Sequence, residues 1–473
     1  MSTDQVPGAL SKACAEVRVA GPDDAVDGVL PRYVACPAGL DEASAVLRAA
    51  AADGLATVPR GAGTRLAWGS PPARCDLVID TRLMNRVLEH AAGDLVVRVQ
   101  AGLGLDELGR VLGEAGQRLA LDPPAASTTG NAQETGTVGG MLATGAAGPL
   151  RLRYGTGRDL LIGITVVRAD GTVASSGGKV VKNVAGYDLG KLFAGSYGTL
   201  GLIGEAAFRL HPRPGATSYV TADCADAAAA HAAIAAAAES PLAPSAAEID
   251  RPGRAGPVRV GILLEGDQDG VAERAGRMTT LLGGSPAVSP EPPGWWGRGA
   301  AAASGGTVLR IGFWAAALAR VIGAVDAAAS AVGLDPAVSG SAAAGVIYAA
   351  VAEDADPAAV AEFVGALRAV LARGDTVSPG DTPDPGGPEP PGVGLASEHL
   401  PTAGTSRGPS ARADLRPAVA DGPASVVVQR APAAVRATVD LWGPVPALGL
   451  MRAVKDQFDP EHLMAPGRFV GGI

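Results

Sequence analysis

The chain has 473 residues, 47% of them hydrophobic, and a formal net charge of −9. That length can bury a large core and suits two to three domains. The acidic balance argues against nonspecific attraction to nucleic acid or to anionic lipid.

Residues 41–53 (DEASAVLRAAAAD) read as a helix. Asp41 and Glu42 stand in its first turn, Val46 and Leu47 point inward, and Gly54 stops it. A short apolar strand, ATVPRG, leads into a glycine-rich turn. CDLVID (75–80) is a second buried strand and DLVVRVQAG (94–102) a third, followed by a helix over 105–116 that ends on Gly116. This alternation predicts an α/β architecture. Residues 134–215 are dense in glycine and strand-like runs, with Ala169-Asp170-Gly171 as a hairpin signal. Asp188 is expected to cap a short helix that Gly195 terminates.

From about residue 216 the character changes. Strand-like runs VRVGILLEGD, TVLRIGFW, GVIYAAVAE and SVVVQRAP alternate with helical patterns near 226–238, 268–283, 314–332 and 357–373. The last of these puts Val360, Phe363, Val364, Leu367, Val370 and Leu371 on one apolar face. A second α/β domain with a mostly antiparallel sheet is expected. Residues 374–424, rich in Pro, Gly, Ser and Asp, read as a disordered insertion. A strand, a helix over 444–457 and FDPEHLMAPGRFVGGI close the chain.

Cys14, Cys36, Cys75 and Cys224 lie far apart, with no C-x-x-C pair, so no metal site is expected and any iron–sulfur relay belongs to a partner. The cysteine usage fits a reducing cytoplasm. The N-terminus lacks the pattern of a signal peptide, and no apolar run is long enough for a membrane span.

Four glycine-rich clusters carry the chemistry. In Pro59-Arg60-Gly61-Ala62-Gly63-Thr64-Arg65, a turn after a buried strand can aim successive N–H groups into one concavity, a nest for a diphosphate. Thr64 could add a hydroxyl, and Arg60 and Arg65 a cation; a plain surface turn is the alternative. The run Gly136–Gly145, after Leu121-Asp122-Pro123-Pro124, requires close backbone approach either to a flat ligand or to a packed sheet. Arg153-Tyr154-Gly155 with Arg158-Asp159, then GGKVVKNVAGYDL (177–189), form the third cluster. Gly195-Ser196-Tyr197-Gly198-Thr199-Leu200-Gly201-Leu202-Ile203-Gly204-Glu205 is the fourth.

In this order, with PRGAGT, DPP, GTVGGMLATGAAG, RYGTGRD, LFAGSYGTLGLIGEA and the terminal FDP…PGRF, the clusters resemble the vanillyl-alcohol-oxidase type of FAD-binding protein, also called the PCMH type. The resemblance covers about 27–214 and the last twenty residues. Within that group the chain is most similar to the FAD-binding E subunit of three-subunit glycolate oxidases, by GGMLATGAAGP, KNVAGYDLGKLFAGSYGTLG and RLHPRP. It departs from the catalytic D-type pattern at Met141, Gly145, Tyr197 and Ala465.

The resemblance implies a PCMH-type FAD domain of two α/β subdomains over 27–214, after an N-terminal segment 1–26. A ferredoxin-like α/β cap would span 215–373 and 425–445, and residues 446–473 would return to the FAD domain. Non-covalent FAD would lie along Pro59, Arg60, Gly61, Ala62, Gly63, Thr64 and Arg65 at its diphosphate. Pro123, Thr137, Gly139, Gly140, Met141, Thr144 and Gly145 would follow the flavin and its linker. Gly198, Gly201 and Ile203 would give backbone contacts, with Tyr154 and Asp159 in support. None of His90, His211, His231, His399 and His462 stands at a flavin-tethering position. No catalytic residue emerges; Arg310 could clamp a carboxylate, and Lys182 and Tyr187 could face the flavin, though structural roles suit all three.

The activity so implied is oxidation of glycolate or a related 2-hydroxy acid within a cytoplasmic complex that can sit at the inner face of the membrane. A catalytic D-type flavin subunit and an iron–sulfur subunit would be the partners. A stand-alone hydroxy-acid or sugar dehydrogenase or oxidase and a non-catalytic scaffold remain the alternatives.

Overall fold

The computed structural model describes residues 6–124, 136–178, 188–299, 306–372 and 424–473. The insertion read over 374–424 (Ala424 apart), Lys182, Tyr187 and His399 fall outside them.

The first subdomain starts with helix α1 (Gly8–Ala13) and has the sheet order β1-β2-β4-β3. Its strands are β1 (Val17–Val19), β2 (Tyr33–Ala35), β3 (Thr57–Arg60) and β4 (Leu77–Asp80), the last three mutually parallel. Helix α2 (Leu40–Ala52) supplies the crossover between β2 and β3 that parallel pairing needs. It buries Val46 and Leu47 against Leu77 and Ile79, and Gly54 follows it at φ +62°, so the expected helix and its stop are present.

The second subdomain is an antiparallel sheet of order β5-β6-β10-β8-β9. It comprises β5 (Val87–Ala91), β6 (Val96–Gln100), β8 (Leu161–Val167), β9 (Val173–Gly177) and β10 (Leu202–Arg209). A two-residue strand β7 (Gln117–Arg118) pairs separately with β11 (His211–Pro212). Helices α3 (Leu105–Glu114) and α4 (Val138–Thr144) cover the sheet, burying Leu108, Leu112, Met141 and Leu142. Two one-turn helices, α5 (Arg151–Tyr154) and α6 (Gly157–Leu160), precede β8. The hairpin expected at Ala169–Gly171 joins β8 to β9, with Gly171 at φ +81°. Asp188 is a correction: it precedes a 3-10 turn (Leu189–Leu192) without a side-chain cap, and its carboxylate pairs with Lys191 instead.

The cap holds one eight-stranded antiparallel sheet of order β15-β12-β14-β13-β17-β18-β16-β19. Its first half runs β12 (Ala216–Cys224), α7 (Ala227–Glu239), β13 (Ala246–Arg251), β14 (Val258–Gly266), α8 (Gln268–Leu282), β15 (Ala287–Ser289). Its second half repeats that pattern as β16 (Thr307–Gly312), α9 (Leu318–Ala331), β17 (Ala337–Ser341), β18 (Val346–Val351), α10 (Pro357–Ala372), β19 (Ser425–Arg430). Each half is a βαββαβ unit of ferredoxin-like order, and the two join through their second strands, β13 and β17. The four helices pack on one face of the sheet, where Ile249, Val260, Leu309, Val338 and Ile347 meet Ile234, Val321, Val325, Phe363 and Leu367. The opposite face carries the alternating residues, among them Glu248, Tyr348 and Arg310.

That helix-free face meets the FAD-binding side. Arg118 holds Glu265 of β14 at 2.7 and 2.9 Å, and the Tyr154 hydroxyl donates to the same carboxylate at 2.9 Å. On the β19 side, Trp442 donates to Ser70 and Gly69 N–H donates to the Gln429 carbonyl. The C-terminal helix Leu448–Phe458 then returns to the FAD-binding side, where Thr57 pairs with Leu463 and Ala465 beside β3. Among the described residues, no helix is long and apolar enough to cross a membrane.

Candidate cofactor site

The turn after β3, residues of α4, Tyr197, Gly198 and Arg468 enclose a cleft of about 550 Å³ including its open mouth, and Gly139, Gly201, Leu202 and Ile203 line a smaller adjoining one that shares Pro59, Arg60, Gly61 and Gly198. β3 ends on Arg60, and its register with β4 fixes where the chain must turn. Glycine is required there: a Cβ on Gly61 would run into the Thr137 side chain. Across the cleft, Gly198 has φ +77° and would press a Cβ on Pro59 at 3.3 Å. The walls are therefore backbone, close enough for main-chain groups to touch a ligand.

The turn supplies the donors. The N–H groups of Ala62, Gly63 and Thr64 find no acceptor among the described residues, and all three residues line the cleft. Consecutive unpartnered N–H groups facing one concavity make an anion nest, the geometry a diphosphate needs. The residues present thus fit a dinucleotide diphosphate.

The side chains of the two arginines in the turn are committed elsewhere. Arg60, 9% exposed, gives Nη2 to Asp24 at 3.1 Å and to Asp80 at 3.0 Å. Arg18 also binds Asp24, and its hydrogen bond holds that carboxyl well below the usual range in spite of burial. Arg60 is thus tied to two carboxylates while it still lines the cleft. Arg65 donates to Thr64 and to the Pro124 carbonyl and lies over the Trp68 ring at 5.4 Å.

Of the other expected residues, Thr137, Gly140, Thr144 and Gly198 line the same cleft, and Gly139, Gly201 and Ile203 the adjoining one. Thr137 caps α4 by accepting from Gly140 N–H, while Gly139 would press a Cβ on Ala101 at 2.8 Å. Close packing on Ala101 thus accounts for Gly139, while Gly140 lines the cleft. Five residues stand elsewhere. Met141 is fully buried in the core, and Gly145 is the left-handed cap of α4. Pro123 lines a separate cavity with Asp106 and Arg213. Tyr154 belongs to the Arg118–Glu265 joint, and Asp159 accepts from Thr156 N–H at 2.7 Å.

Among the lining residues with no assigned contact, Arg468 and Tyr197 stand out. Arg468 belongs to the terminal PGRF, quoted as a motif without a role. Tyr197 holds a left-handed backbone at φ +56°, fixed by Trp442 and Phe469 at ring distances of 5.4 and 5.6 Å. Burial pushes its phenol up to about 12, although the charges of Arg310 and Arg468 oppose it. No described histidine lines the cleft: His90 pairs with Gln117, His211 packs on Tyr154 at 4.7 Å, and His462 pairs with Asp456.

The comparisons with known proteins agree with this geometry. A family model described as an FAD binding domain matches residues 31–177. Glycolate oxidase subunit GlcD of Bacillus subtilis is 37% identical over 185 residues, 39% of this chain and 38% of that protein. D-lactate dehydrogenase of Archaeoglobus fulgidus is 37% identical over 177 residues, 37% of this chain and 38% of that one. The mitochondrial D-2-hydroxyglutarate dehydrogenase of Rattus norvegicus is 35% identical over 188 residues, 40% of this chain and 34% of that one. The chain thus spans well under half the length of these relatives. Among solved structures, an alkyldihydroxyacetonephosphate synthase superposes with a TM-score of 0.61 at 17% identity, covering 93% of this chain and 78% of that one, which shows a shared fold. In its N-terminal part the chain carries an FAD-binding domain of the PCMH type, and FAD is its cofactor.

Proposed function

We propose that the chain is the FAD-bearing subunit of a glycolate-oxidase-like complex, taking part in oxidation of glycolate or a related 2-hydroxy acid to the 2-oxo acid. What carries the reading is the kinship of its FAD-binding domain with proteins named for glycolate, D-lactate and D-2-hydroxyglutarate, all 2-hydroxy acids. Bound FAD would supply the acceptor for two electrons. The chain's own part is positional: Ala62, Gly63 and Thr64 hold the diphosphate, and Gly140, Thr144, Gly198 and Gly201 border the rest of the cofactor. FAD is held non-covalently, and denaturation should release it to the filtrate. In this reading the chain has a relay or assembly role beside a catalytic flavin subunit and an iron–sulfur subunit.

A second reading, a stand-alone dehydrogenase, draws support from Arg310, a cation on the helix-free face of the cap whose charge acts on Tyr197. Anaerobic addition of glycolate to the purified, FAD-loaded chain separates the two. Persistent flavin absorbance is expected for the relay subunit; bleaching at a catalytic rate would overturn it in favour of the second.

A further inference from the structure

Three arginines line the cleft. Arg60 is held by Asp24 and Asp80, carboxylates that Arg18 and Arg82 also bind, and Arg65 is turned to Thr64, Pro124 and Trp68. Arg468 differs from both. It is 4% exposed, and its Nη2 donates to the carbonyls of Leu66 and Trp68 at 2.8 and 2.9 Å, the two residues that end the diphosphate turn. Its Nη1 has no acceptor, and among the described residues no carboxylate lies within ion-pair distance of it. Asp27, the acid that most favours its charge, is occupied by Arg436. Burial lowers the pKa of the guanidinium, the mark of a cation that lacks a full counter-charge.

A buried cation with an open donor is costly unless something completes it. Arg468 lines the same cleft as Ala62, Gly63 and Thr64, whose N–H groups likewise lack an acceptor among the described residues. We propose that Arg468 is the cation of the diphosphate site, its Nη1 donating to a diphosphate oxygen of FAD alongside those three N–H groups. The inference rests on the FAD assignment. It assigns the charge to the C-terminal PGR segment rather than to the arginines of the glycine-rich turn. The last residues of the chain then close the cofactor site and do more than pack beside β3.

The test uses the full-length apo chain and measures affinity for FAD, ADP and riboflavin by calorimetry, for the wild type, Arg468→Gln and Arg468→Lys. The glutamine variant should bind FAD and ADP roughly 10–100-fold more weakly, the range for losing a charge-assisted hydrogen bond, with riboflavin affinity unchanged. The lysine variant should recover part of the loss. In the wild type, salt should weaken FAD and ADP binding but not riboflavin binding, a readout that needs no variant to fold. Equal losses for FAD and riboflavin would mean that Arg468 only ties Leu66 and Trp68 and would overturn the proposal. So would an unchanged FAD affinity in the glutamine variant, which would leave the diphosphate to the backbone alone. A wild-type chain that takes up no FAD at any concentration would instead sink the cofactor assignment itself.

Discussion

The FAD-binding side and the cap differ in how particular buried charges are held. Around the cofactor cleft Arg60 and Lys455 are ion-paired, whereas Arg468 has no carboxylate within ion-pair distance among the described residues. Arg60 with Asp24 and Asp80 holds the diphosphate turn. Lys455, fully buried, donates to Asp459 at 2.6 Å, Met464 O at 2.9 Å and Thr199 O at 2.7 Å, so all three of its protons are used. Through Thr199 that ammonium steadies the Gly198–Gly201 turn, and through Met464 the segment beside β3. The cap instead buries Glu248 on its helix-free face with Oε1 unpartnered, and burial pushes its carboxyl up to about 7, with only Ser341 and Arg151 opposing. Pairing holds the loops that line the cleft in one arrangement. A lone carboxyl on the cap keeps its proton and titrates near neutrality.

Breaking the paired side should cost most. Lys455→Met leaves Asp459 buried without its counter-ion and frees two carbonyls. A loss of about 3–5 kcal/mol in urea denaturation is expected, with FAD released well below the unfolding midpoint. A loss under about 1 kcal/mol would show that the ammonium contributes little to holding these segments.

Glu248 offers a sharper contrast, because its sign is fixed. Its folded pKa lies above the unfolded value, so its contribution is fully present below about pH 4.5 and is lost as pH rises through about 7. The span corresponds to roughly 3 kcal/mol. Glu248→Gln should flatten that part of the stability profile and make the variant the more stable protein at pH 8. A wild-type profile that rises between pH 5 and 7.5, and is unchanged by the substitution, would refute the assignment.

The smallest expected effect on stability is at the cleft wall. Gly61→Ala drives a methyl into Thr137 at an expected cost of about 1–2 kcal/mol. Its FAD affinity should fall by more than that stability change accounts for, because the turn must shift to make room. Equilibrium dialysis against FAD checks this; unaltered affinity would mean that the turn does not touch the cofactor.

The helices of the cap were legible because their apolar period is clean: four of the four expected helical patterns are present as α7 to α10, and Val360, Phe363, Val364, Leu367 and Leu371 are buried as expected. Strands β12, β13 and β17 were not legible. ATSYVTADC, AAEIDR and AVSGS mix polar residues into both faces, since the helix-free face of this sheet is itself covered by the FAD-binding side. The doubling of the ferredoxin-like unit was hidden for the same reason, as it depends on strand order.

By itself the sequence determined the position and type of the cofactor turns. Only glycine suits Gly61 and Gly198, and such residues announce themselves by identity. The tertiary structure alone decided which charges serve those turns. Arg60 looked like a ligand-binding cation because it adjoins the glycines, yet Asp24 and Asp80, distant in sequence, claim it. Arg468 reaches the cleft from the far end of the chain, and Lys455 ties down the Gly198–Gly201 turn through Thr199. Backbone geometry is encoded locally, whereas the partner of a buried charge is whichever group folding brings within about 3 Å.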